Sequence, residues 1–280
     1  MSSALYPLVP PFVAVVILLA RLLMDFGYKL GLVDQPNERS SHTKIVPRVG
    51  GLAIFLPYLV LGLAFYLTGY DNLQLNSGYW IGLGAIVALG TLDDRLDLSS
   101  TLKFLIQFAV AAYYVLSTGN YVDNLYGLFG IGALPSWLGI SLSIITVVYL
   151  INAVNLIDGV DGLAAGISLL ALYLFSTLMG GGEYLITSIF IGLGLIVFMG
   201  FNYSNKRKIF LGDAGSLSLG FIIATFAMEF LHSGNAHHLH LNLNPVIVAI
   251  LILGYPVADT IRVFAIRISM GLSPFNADRR

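Results

Sequence analysis

The sequence predicts an all-α fold, a polytopic bundle of membrane-spanning helices, and three observations lead to it. Of the 280 residues, 57% are hydrophobic and only 10% are charged, whereas soluble domains carry roughly 25% charged residues. The apolar residues form runs close to the roughly 20 residues that cross a bilayer as a helix. These runs lack the polar–apolar alternation of barrel strands. A soluble domain, a disordered chain and a β-barrel are therefore excluded.

Nine apolar runs predict transmembrane helices. The connections between them are too short for a soluble domain, so we expect residues 1–280 to form one integral-membrane domain. No basic region precedes the first run, which indicates a retained span rather than a signal peptide. The predicted spans lie near residues 5–24, 49–68, 78–92, 102–118, 134–152, 162–179, 184–201, 215–231 and 244–266.

The basic residues predict the orientation of these spans. When the connections are assigned alternately to two sides, all 14 Lys and Arg residues fall on one side, together with 11 of the 15 acidic residues. Loops rich in Lys and Arg stay in the cytoplasm. We therefore expect a multi-pass protein of the cell (cytoplasmic) membrane, with its N-terminus outside and its C-terminus in the cytoplasm.

Three acidic segments on the cytoplasmic side are candidates for a site, because carboxylates at the edge of a membrane are costly. The adjacent Asp93 and Asp94 repel each other and need a cation, such as Arg95 or a divalent metal, or a shared proton. Asp213 precedes the eighth span, where a helix N-terminus attracts phosphate, although an Asp can also simply cap the helix there.

The third acidic segment is NAVNLIDGVDGL, residues 152–163. If this segment is helical, Asn155, Asp158 and Asp161 share one face. Its two glycines would let a phosphate or a metal approach the backbone closely. The segment lacks the ligand spacing of an EF-hand, which excludes a calcium loop of that kind.

The chemistry of these residues predicts a reaction class. The chain has no Cys, and hard oxygen ligands favour Mg²⁺ or Mn²⁺ over zinc. Carboxylates with such a metal suit phosphoryl transfer. No Walker A or GxGxxG motif is present, and the net charge of −1 gives no reason to expect nucleic acid. We therefore expect a metal-dependent membrane enzyme that acts on a phosphorylated substrate.

With these residues in place, the sequence resembles the polyprenyl-phosphate N-acetylhexosamine-1-phosphate transferases of glycosyltransferase family 4. The resemblance runs from about Gly31 to the last residue, and its first and last blocks resemble the WecA-like branch more than the MraY-like one. The matching blocks are GLVDQPNERSSHTKIVPRVGG (31–51), LDDRLDLS (92–99), NAVNLIDGVDGL (152–163), KIFLGDAGS (208–216) and GLSPFNADR (271–279).

The resemblance implies a Mg²⁺-dependent reaction that begins cell-envelope polysaccharide synthesis. In this family the phosphate of a polyprenyl phosphate, usually undecaprenyl phosphate, attacks the β-phosphate of a UDP-N-acetylhexosamine. UMP leaves and a lipid-diphosphate sugar remains in the membrane. The WecA-like blocks imply UDP-GlcNAc as donor, while direct attack and an aspartyl intermediate both stay open. A homodimer is a further assembly that the resemblance suggests.

The resemblance also assigns roles to residues. Asp213 would be the metal ligand, Asp93 would deprotonate or orient the lipid phosphate, and Asp94 would shape the metal site beside it. Of these three catalytic residues, Asp213 and Asp94 form the expected metal site. The residues expected to bind substrate are Asp34, Arg39, His42, Asn155, Asp158, Asp161 and Asn202.

Two departures from the family pattern affect these expectations. Ser40 follows Arg39, where the family usually has Lys, so that Lys44 or Arg48 would have to supply the missing cation. The last block usually leads into a His-rich motif and at least one more span, but the sequence ends at Arg280. We therefore expect a fragment or a natural truncation with weak turnover or none. The HHLH run at 237–240 is predicted to lie on the outer side and does not replace that motif.

A transporter that uses intramembrane acids is the alternative function. Transporters hold such acids near the bilayer midplane in repeat-related positions, whereas these acids cluster at one side and no repeat is visible. Outside the site, Asp259 and Arg262 are expected to form a helical ion pair. The Lys206–Lys208 run is expected to anchor the topology or to contact a substrate phosphate.

Overall fold

The computed structural model is a helical bundle, described for residues 7–36, 45–68, 75–233 and 243–272. A short antiparallel ribbon of β1 (Val33–Asp34) and β2 (Val46–Pro47) precedes the second helix. The helices of the described ranges are α1 (Val9–Leu30), α2 (Gly50–Thr68), α3 (Ser77–Leu96), α4 (Ser100–Thr118), α5 (Ser136–Ile157), α6 (Leu163–Leu178), α7 (Gly182–Asn202), α8 (Asp213–Ser233), α9 (Pro245–Ile252) and α10 (Gly254–Ser269).

The helix ends follow local capping rules. The side chain of Asn76 accepts a hydrogen bond from the first turn of α3, and that of Asn244 does the same for α9, as Asn does at a helix N-cap. Gly31 and Gly119 follow α1 and α4 in the left-handed conformation, which ends a helix at little steric cost. The Asn and Gly residues between the apolar runs therefore set where these helices begin and end.

Helix α8 is the centre of the bundle. Of the residues in its most apolar 18-residue stretch, 94% are buried inside the protein. It packs against α5, α3, α6 and α2. Helix α1 lies at the edge, with only 17% of the corresponding stretch buried. The buried face of α8 thus holds the spans together, and the exposed apolar faces of the outer helices are available to lipid.

The all-α architecture is confirmed, but nine membrane crossings are not. Each predicted span coincides with a helix, and the ninth is broken between α9 and α10 by a bend of 71°. Six described helices are long and apolar enough to cross a membrane, or up to seven if the bent pair is one span. Helix α6 has only 16 residues, below the roughly 20 that a crossing needs, and α3 carries Asp93, Asp94 and Arg95 in its last turn.

The connections meet in two groups at opposite ends of the bundle. At one end the last turns of α3 and α5 contact the first turn of α8. At the other end, the segment between α4 and α5 contacts the last turn of α8 and the cap of α9. We call the first the carboxylate end and the second the hairpin end.

Candidate active site

Residues from the three predicted acidic segments lie close together at the carboxylate end. Asp93 and Asp94 come from the last turn of α3, Asn155 from the last turn of α5, and Asp213 is the first residue of α8. The protein chain brings these residues together although 119 positions separate Asp94 from Asp213. The convergence expected from topology is therefore present in the folded chain.

Asp94 is tied to the start of α8 through the backbone. Its two carboxylate oxygens accept hydrogen bonds from the N–H of Asp213 at 2.9 Å and from the N–H of Ala214 at 3.0 Å. The side chain is only 5% exposed. A carboxylate at this position satisfies N–H groups that a helix start leaves without intrahelical partners, and it complements the helix dipole. Asp94 therefore acts as an N-cap supplied by another helix.

Two glycines allow this contact. A Cβ on Gly90 would lie 2.4 Å from the Cα of Ala214, so that α3 and α8 approach more closely than larger residues permit. Gly212 has a φ of +74°, and a Cβ there would lie 2.6 Å from Asp94 Oδ2. Only glycine adopts this backbone conformation at low cost. The glycine of the FLGDAGS block is thus explained by the turn that leads into α8.

Lys103 connects the other two carboxylates. Its Nζ atom lies 2.5 Å from Asp93 Oδ2 and 3.8 Å from Asp213 Oδ2. The second oxygen of Asp93 accepts the N–H of Leu98 at 2.9 Å, and the Asp93 side chain is only 2% exposed. The cation that compensates Asp93 is therefore Lys103, whereas Arg95 is exposed. Sequence reasoning missed this role, although Lys103 is the lone charged residue of α4.

Asp213 is more accessible than Asp93 and Asp94. Its side chain is 32% exposed, and one oxygen accepts a hydrogen bond from the Asn155 amide at 2.9 Å. The same amide group donates to Ser216 Oγ at 2.8 Å. Asn155 thus fixes the direction of the Asp213 carboxylate while the second oxygen faces Lys103.

The segment after α5 does not continue as a helix. Helix α5 ends at Ile157, and Gly162 has a φ of +71°, so Asp158 and Asp161 do not share a helical face with Asn155. Burial, followed by the charges of Asp213, Asp94 and Asp161, raises the pKa of the Asp158 carboxyl well above its usual range. A cation bound among these groups would reverse that shift, because an opposite charge favours the ionised carboxylate.

Asp161 and Asn202 meet at the loop before α8. Asp161 forms an ion pair with Lys208. The Asn202 amide donates to the carbonyl of Ile209 at 2.9 Å and to Asp161 Oδ1 at 3.4 Å. Asn202 Oδ1 is buried and has no hydrogen-bond partner among the described residues. Lys208 therefore contacts one of the predicted substrate-binding residues directly.

The ribbon of β1 and β2 adds a cation to the site. Arg48 forms an ion pair with Asp34. Burial on its own would lower the pKa of the Arg48 guanidinium, but the charges of Asp34, Asp94 and Asp213 outweigh it and raise that pKa. Arg48 thus places a cation near Asp94 and Asp213. Arg39 and His42 lie outside the described residues.

The donor set at this end is compatible with magnesium. Within residues 7–36, 45–68, 75–233 and 243–272, no group of three or more His, Asp or Glu side chains could hold a metal without other ligands. Mg²⁺, however, is commonly held by one or two carboxylates together with substrate phosphates and water. Asp213 fits that requirement, whereas both oxygens of Asp94 are engaged by backbone N–H groups.

Comparison with known proteins gives one consistent result. The family model described as glycosyl transferase family 4 matches residues 77–231. A probable undecaprenyl-phosphate N-acetylglucosaminyl 1-phosphate transferase of Bacillus subtilis (strain 168) is 37% identical over 256 residues, which cover 88% of this chain and 66% of that protein. Undecaprenyl-phosphate alpha-N-acetylglucosaminyl 1-phosphate transferases of Yersinia pestis and Escherichia coli (strain K12) are 31% and 30% identical, each over 90% of this chain and 68% of their own length. The chain thus spans about two thirds of the length of these relatives.

Proposed function

This chain belongs to glycosyl transferase family 4, and we propose that it transfers N-acetylglucosamine 1-phosphate from UDP-N-acetylglucosamine to undecaprenyl phosphate. The names of the relatives support the lipid acceptor and the transferred group. The observation that carries the proposal is the convergence of Asp93, Lys103 and Asp213 at one end of an apolar helical bundle. A phosphate on a membrane-embedded lipid would meet both a base and a cation there.

Asp93 and Lys103 would handle the acceptor phosphate. An oxygen of the lipid phosphate forms a new bond to the β-phosphorus of the donor, and the bond from that phosphorus to the bridging oxygen breaks, so that UMP leaves with the electron pair. Asp93 orients the attacking phosphate or takes its proton. The Lys103 ammonium offsets the charge that the phosphate adds beside Asp93.

Asp213 would hold Mg²⁺, or Mn²⁺ in its place, together with the donor diphosphate. When bound, the metal neutralises charge on the diphosphate and polarises the phosphorus. Asn155 fixes the orientation of the Asp213 carboxylate through the 2.9 Å hydrogen bond. Asp94 contributes to the metal site by holding the backbone of Asp213 in place.

The loop residues around α5 and α7 would bind the nucleotide sugar. Asp158, Asp161 and Asn202 present carboxylate and amide groups suited to hydroxyls and uracil. Arg48, oriented by Asp34, supplies a phosphate-binding guanidinium. Roles for Arg39 and His42 remain predictions, as does a homodimer.

The orientation we propose places the carboxylate end in the cytoplasm, where UDP-sugars are made, and the N-terminus outside the cell membrane. The distribution of Lys and Arg supports it, since residues 119–135 at the hairpin end contain none. The multi-pass character follows from six to seven apolar helices.

Transfer of label from UDP-N-acetylglucosamine tests the function. Membranes containing the chain are incubated with labelled donor and undecaprenyl phosphate, with and without Mg²⁺, and UMP release and label in extracted lipid are measured. Equilibrium binding of the donor is measured in parallel, since binding does not require turnover. We expect Mg²⁺-dependent donor binding and, at the weak turnover expected from the sequence, a low but Mg²⁺-dependent level of lipid labelling. A chain that neither binds the donor nor releases UMP, but moves ions across proteoliposomes, would support the transporter instead.

A further inference from the structure

The segment between α4 and α5 forms a hairpin with an apolar tip, which we call the 119–135 hairpin. Its arms are joined by hydrogen bonds from Leu125 N to Gly132 O at 2.9 Å and from Leu134 N to Asp123 O at 2.7 Å. A 3-10 turn, Leu128–Gly130, forms the tip. Phe129 at that tip is 90% exposed, and the proposed transferase function does not explain this exposure.

The first arm of this hairpin is held to the bundle by hydrogen bonds. The Tyr126 hydroxyl donates to the carbonyl of Leu231 at 2.6 Å, and the Asn244 amide donates to the carbonyls of Leu125 and Tyr126. The charged residue of the hairpin, Asp123, lies six residues before Phe129, with its Oδ2 3.4 Å from the Nδ1 of His232 in α8. The tip is therefore presented outward by a fixed support that carries the polar contacts.

The tip holds its apolar side chain outward in a strained backbone. Phe129 has a φ of +55°, as Tyr126 has of +54°, a region that bulky residues rarely adopt. Such strain persists only where the surroundings over-determine it, and it is found at sites with a role in binding. A large aromatic side chain in this position is unfavourable in water.

The surroundings of the hairpin identify lipid as the contact. Its ends lie one residue beyond α4 and one residue before α5, and both helices are long and apolar enough to cross a membrane. In the helices that lead into and out of the hairpin, Leu116 of α4 is 65% exposed and Trp137 of α5 is 70% exposed. Trp is enriched at the membrane–water boundary, and residues 119–135 contain no Lys or Arg. The apolar tip continues the lipid-facing surface of the two spans.

We propose that the 119–135 hairpin inserts Phe129 and Ile131 into the lipid leaflet at the hairpin end and anchors that end of the bundle at the membrane boundary. This contact goes beyond the transferase proposal and does not depend on it. Its occupant is the acyl region of the bilayer, whose apolar character matches a tip without charge.

Site-directed spin labelling tests the proposal, because the chain has no Cys of its own. Phe129→Cys is labelled with a nitroxide in the full chain, reconstituted in phosphatidylethanolamine–phosphatidylglycerol vesicles. Collisions with oxygen, which dissolves in the bilayer, are compared with collisions with a water-soluble nickel chelate. The controls are Leu116→Cys on the lipid-facing side of α4 and Asn205→Cys in an exposed loop at the carboxylate end.

We expect the label at position 129 to match Leu116→Cys, with oxygen collisions several-fold favoured over the chelate relative to Asn205→Cys. A label at 129 that matches Asn205→Cys would overturn the proposal. Dipolar broadening that disappears on dilution with unlabelled chain would also overturn it, because a second copy would then cover the tip. If Phe129→Cys does not yield folded protein, Ile131→Cys, 45% exposed in the wild-type chain, carries the label under the same criteria.

Discussion

The carboxylate of Asp94 accepts the backbone N–H of Asp213 at 2.9 Å, so two acidic residues that are distant in the sequence are joined by a hydrogen bond rather than by a shared cation. The adjacent N–H of Ala214 donates to the other oxygen at 3.0 Å. The position of the Asp213 side chain therefore depends on Asp94. Asp93, in contrast, shares with Asp213 the ammonium group of Lys103, which contacts both carboxylates. This division of roles between neighbouring residues gives separate predictions.

Asp94→Asn is expected to reduce both stability and activity. Asn keeps one accepting oxygen, but its NH2 group replaces the second and cannot accept, so one buried N–H at the start of α8 loses its partner, at a cost of about 1–3 kcal/mol. Thermal unfolding in detergent and UMP release measure the two effects. Asp213→Asn is the matched variant, because its carboxylate is one-third exposed and its loss should remove activity with little change in the unfolding temperature. Equal destabilisation by both substitutions would contradict the capping role of Asp94.

Lys103→Met is expected to abolish most activity. Met keeps a similar length but removes the charge between Asp93 and Asp213, and loss of one electrostatic contact to a reacting group typically costs about 10²–10³ in rate. Turnover at saturating donor measures the effect. Lys29→Met changes an exposed lysine of α1 that has no expected role in the site and should leave turnover close to wild type. A wild-type rate for Lys103→Met would show that this lysine only stabilises the fold.

Gly90→Ala is expected to destabilise the protein, because its Cβ would lie 2.4 Å from the backbone of Ala214 and force α3 away from α8. Overpacking of this kind costs about 1–3 kcal/mol. Gly84→Ala lies on the same helix, and no atom of the residues that the structure describes comes within 4 Å of the added carbon. This substitution should be neutral or stabilising by about 0.5–1 kcal/mol through helix propensity. Thermal unfolding of the two variants in the same detergent compares them directly. Similar unfolding temperatures would contradict the close helix contact.

Metal binding is expected to require the donor nucleotide sugar as well as Asp213. Because one or two protein carboxylates bind Mg²⁺ or Mn²⁺ weakly without phosphate oxygens, Mn²⁺ should associate far more strongly when UDP-N-acetylglucosamine is present. The amplitude of the free Mn²⁺ spectrum in electron paramagnetic resonance measures this without turnover. Asp213→Asn should remove the donor-dependent binding, while Lys29→Met should retain it. Retention by Asp213→Asn would assign the metal to other ligands.

Local sequence features predicted the secondary structure well because each span satisfies its own backbone. A run such as residues 102–118 is mostly apolar and is bounded by Ser99 and Gly119, so its helix, α4, needs no distant partner to be recognised. The same reasoning predicted the Asp259–Arg262 ion pair, which is confirmed at 2.7 Å because the residues are three apart on one helix. Counting membrane crossings was less successful. Helix α6 is short and α3 ends in acidic residues, so whether each of them crosses the membrane depends on its position in the bundle.

The sequence by itself determined an all-α membrane fold, the family and the acidic residues that converge, since hydropathy, motif spacing and charge are properties of the chain. Only the tertiary structure decided what each acid contacts. In the folded chain Asp94 accepts a backbone N–H of α8 and Asp93 pairs with Lys103. Helix α5 ends at Ile157, before Asp158 and Asp161. These assignments depend on distances between residues far apart in the sequence, which are set by the close packing of α3 and α5 around α8 and which no local pattern encodes.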